Sequence, residues 1–377
     1  MSIYKTMRNI SERILVIGAG VVGLTTALCL LREGFQVTII ADKFSPQITS
    51  NVAGALWEWP PAVCGHHRNP VSLERSKHWC MVSYNFFEEL ALQAKTGVQI
   101  LSSVFFFRHP VTEHNGDFLK MKEIESRLKG FRYDYKLIEE NSVSTKIGLK
   151  DAYEHLAPVV DTDIYMGWLL EQINQLGGKV LKRKVSGRLV DIEEKLKTEF
   201  DSAAIVNCAG LGSVELADDD MYPLRGALIR VHNDDLNFPK INKALSITLE
   251  ERGNSQNMIY LVPRGNILLL GGLVEKDEWF TDIQIEKYEP LRQMYQRCID
   301  FLPMLKRAKL DIDEPIRVGL RPARKTNVRL EQEKGTTIIH NYGHGGSGVT
   351  LSWGCAIEVV EKIKSVVQQQ SNKQLVA

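Results

Sequence analysis

Residues 14–40 read ILVIGAGVVGLTTALCLLREGFQVTII, and no other stretch of the chain narrows the available folds so far. Four apolar residues, Ile14 to Ile17, fit a buried strand. Gly18-Ala19-Gly20-Val21-Val22-Gly23 then opens a helix-period apolar run to about Glu33, Gly34 supplies a C-cap, and Gln36 to Ile40 make a second strand. Gly18 permits a tight turn, Gly20 lets a pyrophosphate approach the backbone, and Gly23 lets helix and strand pack closely, while the helix N-terminus faces the phosphates. The acidic residue such a site needs for a ribose hydroxyl is Asp42, roughly 20 positions on. The apolar run Ile14 to Leu31 is about as long as a membrane span. Its patterned glycines favour a strand, turn and helix instead.

Glycine-rich segments return at Asn207-Cys208-Ala209-Gly210 and at NYGHGGSGV, Asn341 to Val349, where four of nine residues are glycine. Ordering glycine costs backbone entropy, so such a cluster implies positive φ angles or close approach to a ligand. A nicotinamide site is completed within the first half of a contiguous Rossmann domain. A flavin dinucleotide held by distant segments accounts better for the dispersal. The fold expected is α/β: a discontinuous Rossmann-type FAD-binding domain, with an inserted α+β substrate domain on a mixed or antiparallel sheet. The partition expected is 1–60, 150–215 and 310–377 for the FAD-binding domain, and 61–149 and 216–309 for the substrate-binding domain. Asn69-Pro70 starts a helix through Trp79, Tyr84, Phe87 and Leu90, Asp161 caps another, and the last ten or so residues read as frayed.

Composition adds boundaries. The chain has 377 residues, 25% of them charged, and a formal net charge of +1, which gives no electrostatic reason to expect a nucleic-acid or membrane partner. Six scattered cysteines, several in apolar runs, suit reduced thiols in a cytoplasmic protein. Cys64, His66 and His67, and His78 with Cys80, match no standard zinc spacing, so no metal is expected.

Four blocks, ILVIGAGVVGLTTAL, TSNVAGALW, IVNCAGLG with YPLRGALI, and VGLRPARK with IIHNYGHGGSGVTLSWGCA, resemble the D-amino acid oxidase family of FAD-dependent amine oxidases, in that family's order and over nearly the whole chain. The resemblance implies FAD, an amino acid substrate and dioxygen as electron acceptor, with hydride passing from the α-carbon to the flavin. A homodimer is compatible with it. It places Gly18, Gly20, Val21, Val22 and Gly23 at the pyrophosphate, Asp42 and Lys43 near the adenosine, and Thr49, Ser50, Ala55 and Leu56 near pyrophosphate and ring. Cys208 and Gly210 fall in the middle block, and Gly345, Gly346, Gly348, Val349 and Thr350 at the ring, with the Gly346 carbonyl facing the substrate amine. The Val185 backbone is implied against adenine, although core packing explains a valine in KRKV equally well.

By the same resemblance Arg321 of Leu320-Arg321-Pro322 binds the substrate carboxylate. A guanidinium matches a carboxylate as a fork, and Arg324 competes for the role. Tyr260 of MIYLVPRG reaches the same carboxylate, or else is a strand tyrosine packed by its ring. Two features depart from the family. Its second tyrosine has no counterpart in QNMI, and the stretch from about 249 to 257, where the family has a lid, is polar and charged. Glu58 stands where the family has a neutral amide, as a carboxylate that attracts a cationic side chain or as an ordinary loop residue. A glycine or sarcosine oxidase-like enzyme, a tailoring oxidase for an unusual amino acid, an NAD-dependent dehydrogenase and a non-catalytic dinucleotide-binding regulator stand as alternatives.

Overall fold

The computed structural model describes residues 12–60, 70–217, 220–247 and 258–376. Strand Arg13–Ile17, helix Val21–Arg32 and strand Gln36–Ala41 form the expected βαβ unit, the two strands pairing in parallel from Arg13 with Gln36 to Ile17 with Ile40. Lys179–Lys182 joins one edge of this layer; Ala204–Asn207, Ile338–Tyr342 and Arg329–Gln332 extend the other. Only the last pair is antiparallel, so three distant parts of the chain build one parallel sheet. The sheet is covered on one side by Val21–Arg32 with the terminal helix Gly348–Val376, and on the other by Leu189–Phe200.

The second layer is a larger mixed sheet. Its order runs Glu275–Lys276, Met221–His232, Ile267–Gly271, Ile259–Arg264, Ala244–Ile247, Val98–Phe107, Asp151–Val160, Arg132–Tyr133, with Ile316–Arg324 also pairing with Met221–His232. All its pairings are antiparallel except Val98–Phe107 with Ala244–Ile247. Alternation gives the sheet two buried faces. Phe105, Phe107, Tyr153 and Val262 look toward the dinucleotide-binding layer, while Val104, Phe106, Ala152 and Leu261 pack with helix Glu289–Phe301. That helix presents Leu291, Met294, Cys298 and Phe301, one apolar stripe at helical spacing.

Hydrogen bonding puts Asp151–Val160 and Ile316–Arg324 in the large sheet, although the sequence reading grouped those numbers with the FAD-binding segments. Alternation shows that a segment is a strand, and leaves open which sheet receives it. Both strands lead straight back into the first layer: Asp161 accepts from the Asp163 and Ile164 amides and caps helix Thr162–Gln175. The terminal helix continues to Val376 through the segment read as frayed. The five described cysteines are buried and form no disulfide among themselves; Cys64, His66 and His67 lie outside the described residues, as does 249–257.

Candidate active site

The glycine turn is built as its spacing requires. Gly18 sits at φ +112, where a Cβ would meet the Cys208 carbonyl oxygen at 2.4 Å, and a Cβ on Gly23 would fall 2.0 Å from the Gly18 carbonyl oxygen. Strand, turn and helix therefore touch backbone to backbone. Gly20 is the N-cap and contributes no side-chain bond, leaving the helix's first amides to other partners. Ser50 takes one of them, its Oγ accepting from the Val21 N–H at 2.9 Å, which draws the Thr49–Val52 turn against the glycine loop. Thr49 Oγ1 donates to the Leu320 carbonyl at 3.1 Å. Asp42 and Lys43 lie exposed beside Lys182, lining a recess of about 470 Å³ at the far end of this groove. Val185 lies just past strand Lys179–Lys182, its side chain partly buried against Leu15, Ile17 and Ile40.

The terminal glycine cluster closes over the same place. Gly343 and Gly345 have φ +82 and +53, and the Gly345 N–H donates to the Pro322 carbonyl at 2.9 Å. Gly348 starts the long helix in contact with Val21 and Val22, with Val349 and Thr350 buried behind it. Gly210, at φ +57, adjoins Pro322 from the other side, and Cys208 packs beneath Gly18 and Gly23. His344 within the cluster is buried, and its Nε2 finds no partner among the described residues. Burial pushes its pKa down to about 3, so the ring is neutral. Cradles that a Cβ would fill, a free helix N-terminus and an orphaned ring nitrogen suit a dinucleotide laid between the two glycine segments.

Facing this groove, the large sheet brings Arg321 and Tyr260 together. A Cβ on Gly226 would lie 2.4 Å from the Arg321 guanidinium, and one on Gly346 would touch its Cδ at 3.6 Å, so glycines on both sides make room for it. Tyr260 pairs with Gly271, whose missing side chain would meet Leu228 and the Tyr260 ring, which sets tyrosine and arginine on one face. The Leu56 N–H donates to Tyr260 Oη at 2.9 Å, leaving the phenol's own proton to be donated elsewhere. Burial raises the Tyr260 pKa, which keeps that proton in place. Arg225, Arg230 and Arg317 of the same sheet each meet a carboxylate. Arg321 meets none among the described residues: its Nη1 donates to the Leu273 carbonyl at 3.2 Å, and burial pulls its pKa down. Such a group is completed by an anion. Arg324 turns away, bonding the Asn327 carbonyl and lying over the Tyr342 ring.

Gly226→Ala tests this placement without altering any charge. The added methyl must displace the guanidinium, so KM for the carboxylate substrate is expected to rise at least about tenfold, the equivalent of 1.4 kcal/mol. Steady-state kinetics on flavin-loaded protein checks it, and an unchanged KM would show that the guanidinium does not hold substrate.

Glu58 needs correcting. Of its two readings, a carboxylate that attracts a cationic side chain or an ordinary loop residue, the first loses its free carboxylate: Lys120 of helix Asn115–Arg127 donates to Glu58 Oε1 at 2.9 Å in a pair that is largely buried. Its charge is met within the protein. Sequence reasoning also missed Arg264, four residues beyond Tyr260 on the same strand. Its guanidinium donates to the carbonyls of Ala53 and Gly54 and to Thr162, fixing the turn that carries Ala55, at φ +51, and Leu56. The signal was the strand register, which places Arg264 on the same face as Tyr260. Away from this site, His109 and His114 both adjoin Asp117, at 2.9 and 3.1 Å, where His114 is also the N-cap of helix Asn115–Arg127.

His155, buried in the large sheet beside Ser103, carries a pH dependence. Burial drops its pKa from 6.5 to about 4, so the folded state holds the neutral ring. The stability it contributes is full above about pH 6.5 and drains away as pH falls toward 4. Between pH 6.5 and 4.5 this amounts to on the order of 2 kcal/mol. His155→Gln is expected to flatten the fall of Tm over that interval; parallel curves for wild type and variant would contradict it.

Two sheets, one mostly parallel and carrying a glycine-rich dinucleotide seat, the other mixed and carrying an arginine that meets no carboxylate among the described residues, define a dinucleotide-dependent oxidoreductase architecture. The family model described as FAD dependent oxidoreductase (DAO) matches residues 13–362, and the chain belongs to that family. It is 33% identical over 354 residues to a D-amino-acid oxidase of Rubrobacter xylanophilus, spanning 93% of this chain and 95% of that one. It is 30% identical over 376 residues to the D-aspartate oxidase of Homo sapiens, spanning 95% and 96%. Among solved structures it superposes on glycine oxidase from Geobacillus kaustophilus with a TM-score of 0.73 at 14% identity, covering 94% of this chain and 95% of that one. No helix among the described residues is long and apolar enough to cross a membrane.

Proposed function

We propose that the protein oxidises D-amino acids to 2-oxo acids. The observation that carries this reading is Arg321: a partly buried guanidinium without a carboxylate partner among the described residues, on the same sheet face as Tyr260 and next to Gly346 of the glycine cluster. Arg321 and Tyr260 hold the substrate carboxylate, and the Gly346 carbonyl accepts from the amine. The α-carbon is thereby fixed between the two layers, against the glycine cluster. Bound FAD supplies the two-electron acceptor. The protein's part is positioning and exclusion of water, and a substrate entering with a neutral amine needs no side-chain base.

The substrate loses its α-hydrogen with the bonding pair and a proton from nitrogen, leaving an imino acid. Water converts that to the 2-oxo acid and ammonia, and dioxygen takes the two electrons and two protons to give hydrogen peroxide. The same reading has Asp42 and the Val185 backbone bordering the adenosine, a division into FAD-binding and substrate-binding domains along the two sheets, a cytoplasmic location and a homodimer. The test is anaerobic bleaching of the flavin by D- and L-amino acids, glycine and sarcosine. D-enantiomers are expected to bleach it, and bleaching by none of the panel would remove the reading.

A further inference from the structure

Residues paired across neighbouring strands project to the same face of a sheet, so register draws a line on the face that holds the substrate clamp. Tyr260 pairs with Ser246, Ser246 with Phe105, and Phe105 with Tyr153. The line crosses three strand spacings of about 4.8 Å each. It runs from the clamp to the buried Tyr153. Burial and, to a lesser degree, the Glu58 carboxylate raise the pKa of the hydroxyls at both ends, Tyr260 and Tyr153. Glu58 is also two residues beyond Leu56, whose amide is bonded to Tyr260. A substrate with its carboxylate on Arg321 and Tyr260 would bring its side chain within reach of the Leu56–Glu58 segment. There a carboxylate, 17% exposed, meets an ammonium, 9% exposed, at 2.9 Å.

We propose, on the basis of the amino acid oxidase reading, that the Glu58–Lys120 ion pair is the end wall of the side-chain pocket and sets substrate specificity by charge balance. With both partners present the wall is neutral overall. It penalises a D-aspartate carboxylate through Glu58 and a D-lysine ammonium through Lys120, and it accepts neutral side chains. Either charge alone reverses one of those penalties, because the substrate's own charge then replaces the missing partner in a desolvated site. Lys120 is thus a specificity-determining residue and has no part in the chemistry.

The measurement is the ratio of kcat/KM for D-aspartate to that for D-lysine, at pH 7, on flavin-loaded wild type, Glu58→Gln, Lys120→Met and the double variant, with D-alanine run in parallel. Glu58→Gln is expected to raise the ratio about tenfold or more, and Lys120→Met to lower it about tenfold, each step near 1.4 kcal/mol. The double variant, which buries no lone charge, returns to within a few-fold of wild type. A structural role alone would move both single variants in the same direction. Ratios that do not change, or that shift together, while D-alanine is still oxidised, overturn the ion-pair proposal and leave the oxidase reading intact. If a single variant fails to fold, the double variant and the other single decide by the same comparison. Wild type that oxidises none of the three substrates overturns the oxidase reading, and this proposal with it.

Discussion

Replacing Arg321 by alanine is expected to lower kcat/KM for a D-amino acid by about thirty-fold to several thousand-fold, the equivalent of about 2–5 kcal/mol. The size follows from where the guanidinium sits. Partial burial pulls its pKa down, it donates to the Leu273 carbonyl at 3.2 Å, and no carboxylate among the described residues balances it. On the proposed reading, the substrate carboxylate completes this site. Without Arg321 that carboxylate enters a desolvated pocket with the Tyr260 hydroxyl as its remaining donor. Arg321→Lys keeps the charge but loses the fork, and recovers only part of the loss. Arg324→Ala serves as the contrast, because its guanidinium is engaged with Asn327 and Tyr342 and should change kcat/KM far less. Steady-state kinetics, with single-turnover flavin bleaching to separate binding from chemistry, decides the matter. An Arg321→Ala enzyme with wild-type KM would end the assignment.

What could be read in the sequence and what could not divide along a physical line. The Gly18 turn was legible because its cause is local: φ +112 and a carbonyl 2.4 Å from a would-be Cβ exclude every other residue within a few positions of the motif. The cap at Asp161 is similar, since a cap is decided within one helical turn, while the C-cap of Val21–Arg32 falls on Glu33, one residue before the Gly34 expected, which follows at φ +97. The terminal cluster NYGHGGSGV could be tied to the first glycine turn because both need an unusual backbone in an ordered place. Arg321 and Tyr260 stood out only through resemblance. What brings them together is the register of strands far apart in sequence, and no local pattern encodes it.

Lys120 was out of reach for a different reason. It sits in NGDFLKMKEIESR, a helix with the composition of a solvated surface, and lysines in such helices are ordinarily exposed. Its burial is a tertiary fact, set by Glu58 arriving from a loop 62 residues earlier in the chain. Read alone, Glu58 was an anion seeking a cation, which is correct chemistry with the wrong partner. Arg264 was missed for a related reason, because a strand arginine bonding two carbonyls of a distant turn and the Thr162 hydroxyl leaves no mark beyond its alternation with Tyr260. The two strands whose sheet the sequence leaves open repeat the pattern, since Asp151–Val160 is unmistakably a strand and only its neighbours decide its sheet.

The largest structural effect expected from one methyl group is at Gly23. A Cβ there would lie 2.0 Å from the Gly18 carbonyl oxygen and 2.9 Å from its carbon, backbone atoms held by the Gly18 N–H bond to Ile40 at 2.9 Å. No side-chain rotation relieves that overlap, so helix Val21–Arg32 must move off the turn. The amides at its N-terminus, and the Ser50 contact to Val21, move with it. Gly23→Ala is therefore expected to yield protein that retains most of its helix but almost no flavin, with a Tm lowered by several degrees or more. Gly177→Ala is the control. That glycine also has a positive φ, +78, but nothing lies within 4 Å of its would-be Cβ, so the substitution strains only its own backbone, by about 1 kcal/mol, and flavin content stays near wild type. Flavin absorbance per mole of purified protein, read with circular dichroism on the same samples, separates the two cases. Full flavin occupancy in Gly23→Ala would mean that the dinucleotide does not depend on this turn, and the site would have to be sought elsewhere in the groove.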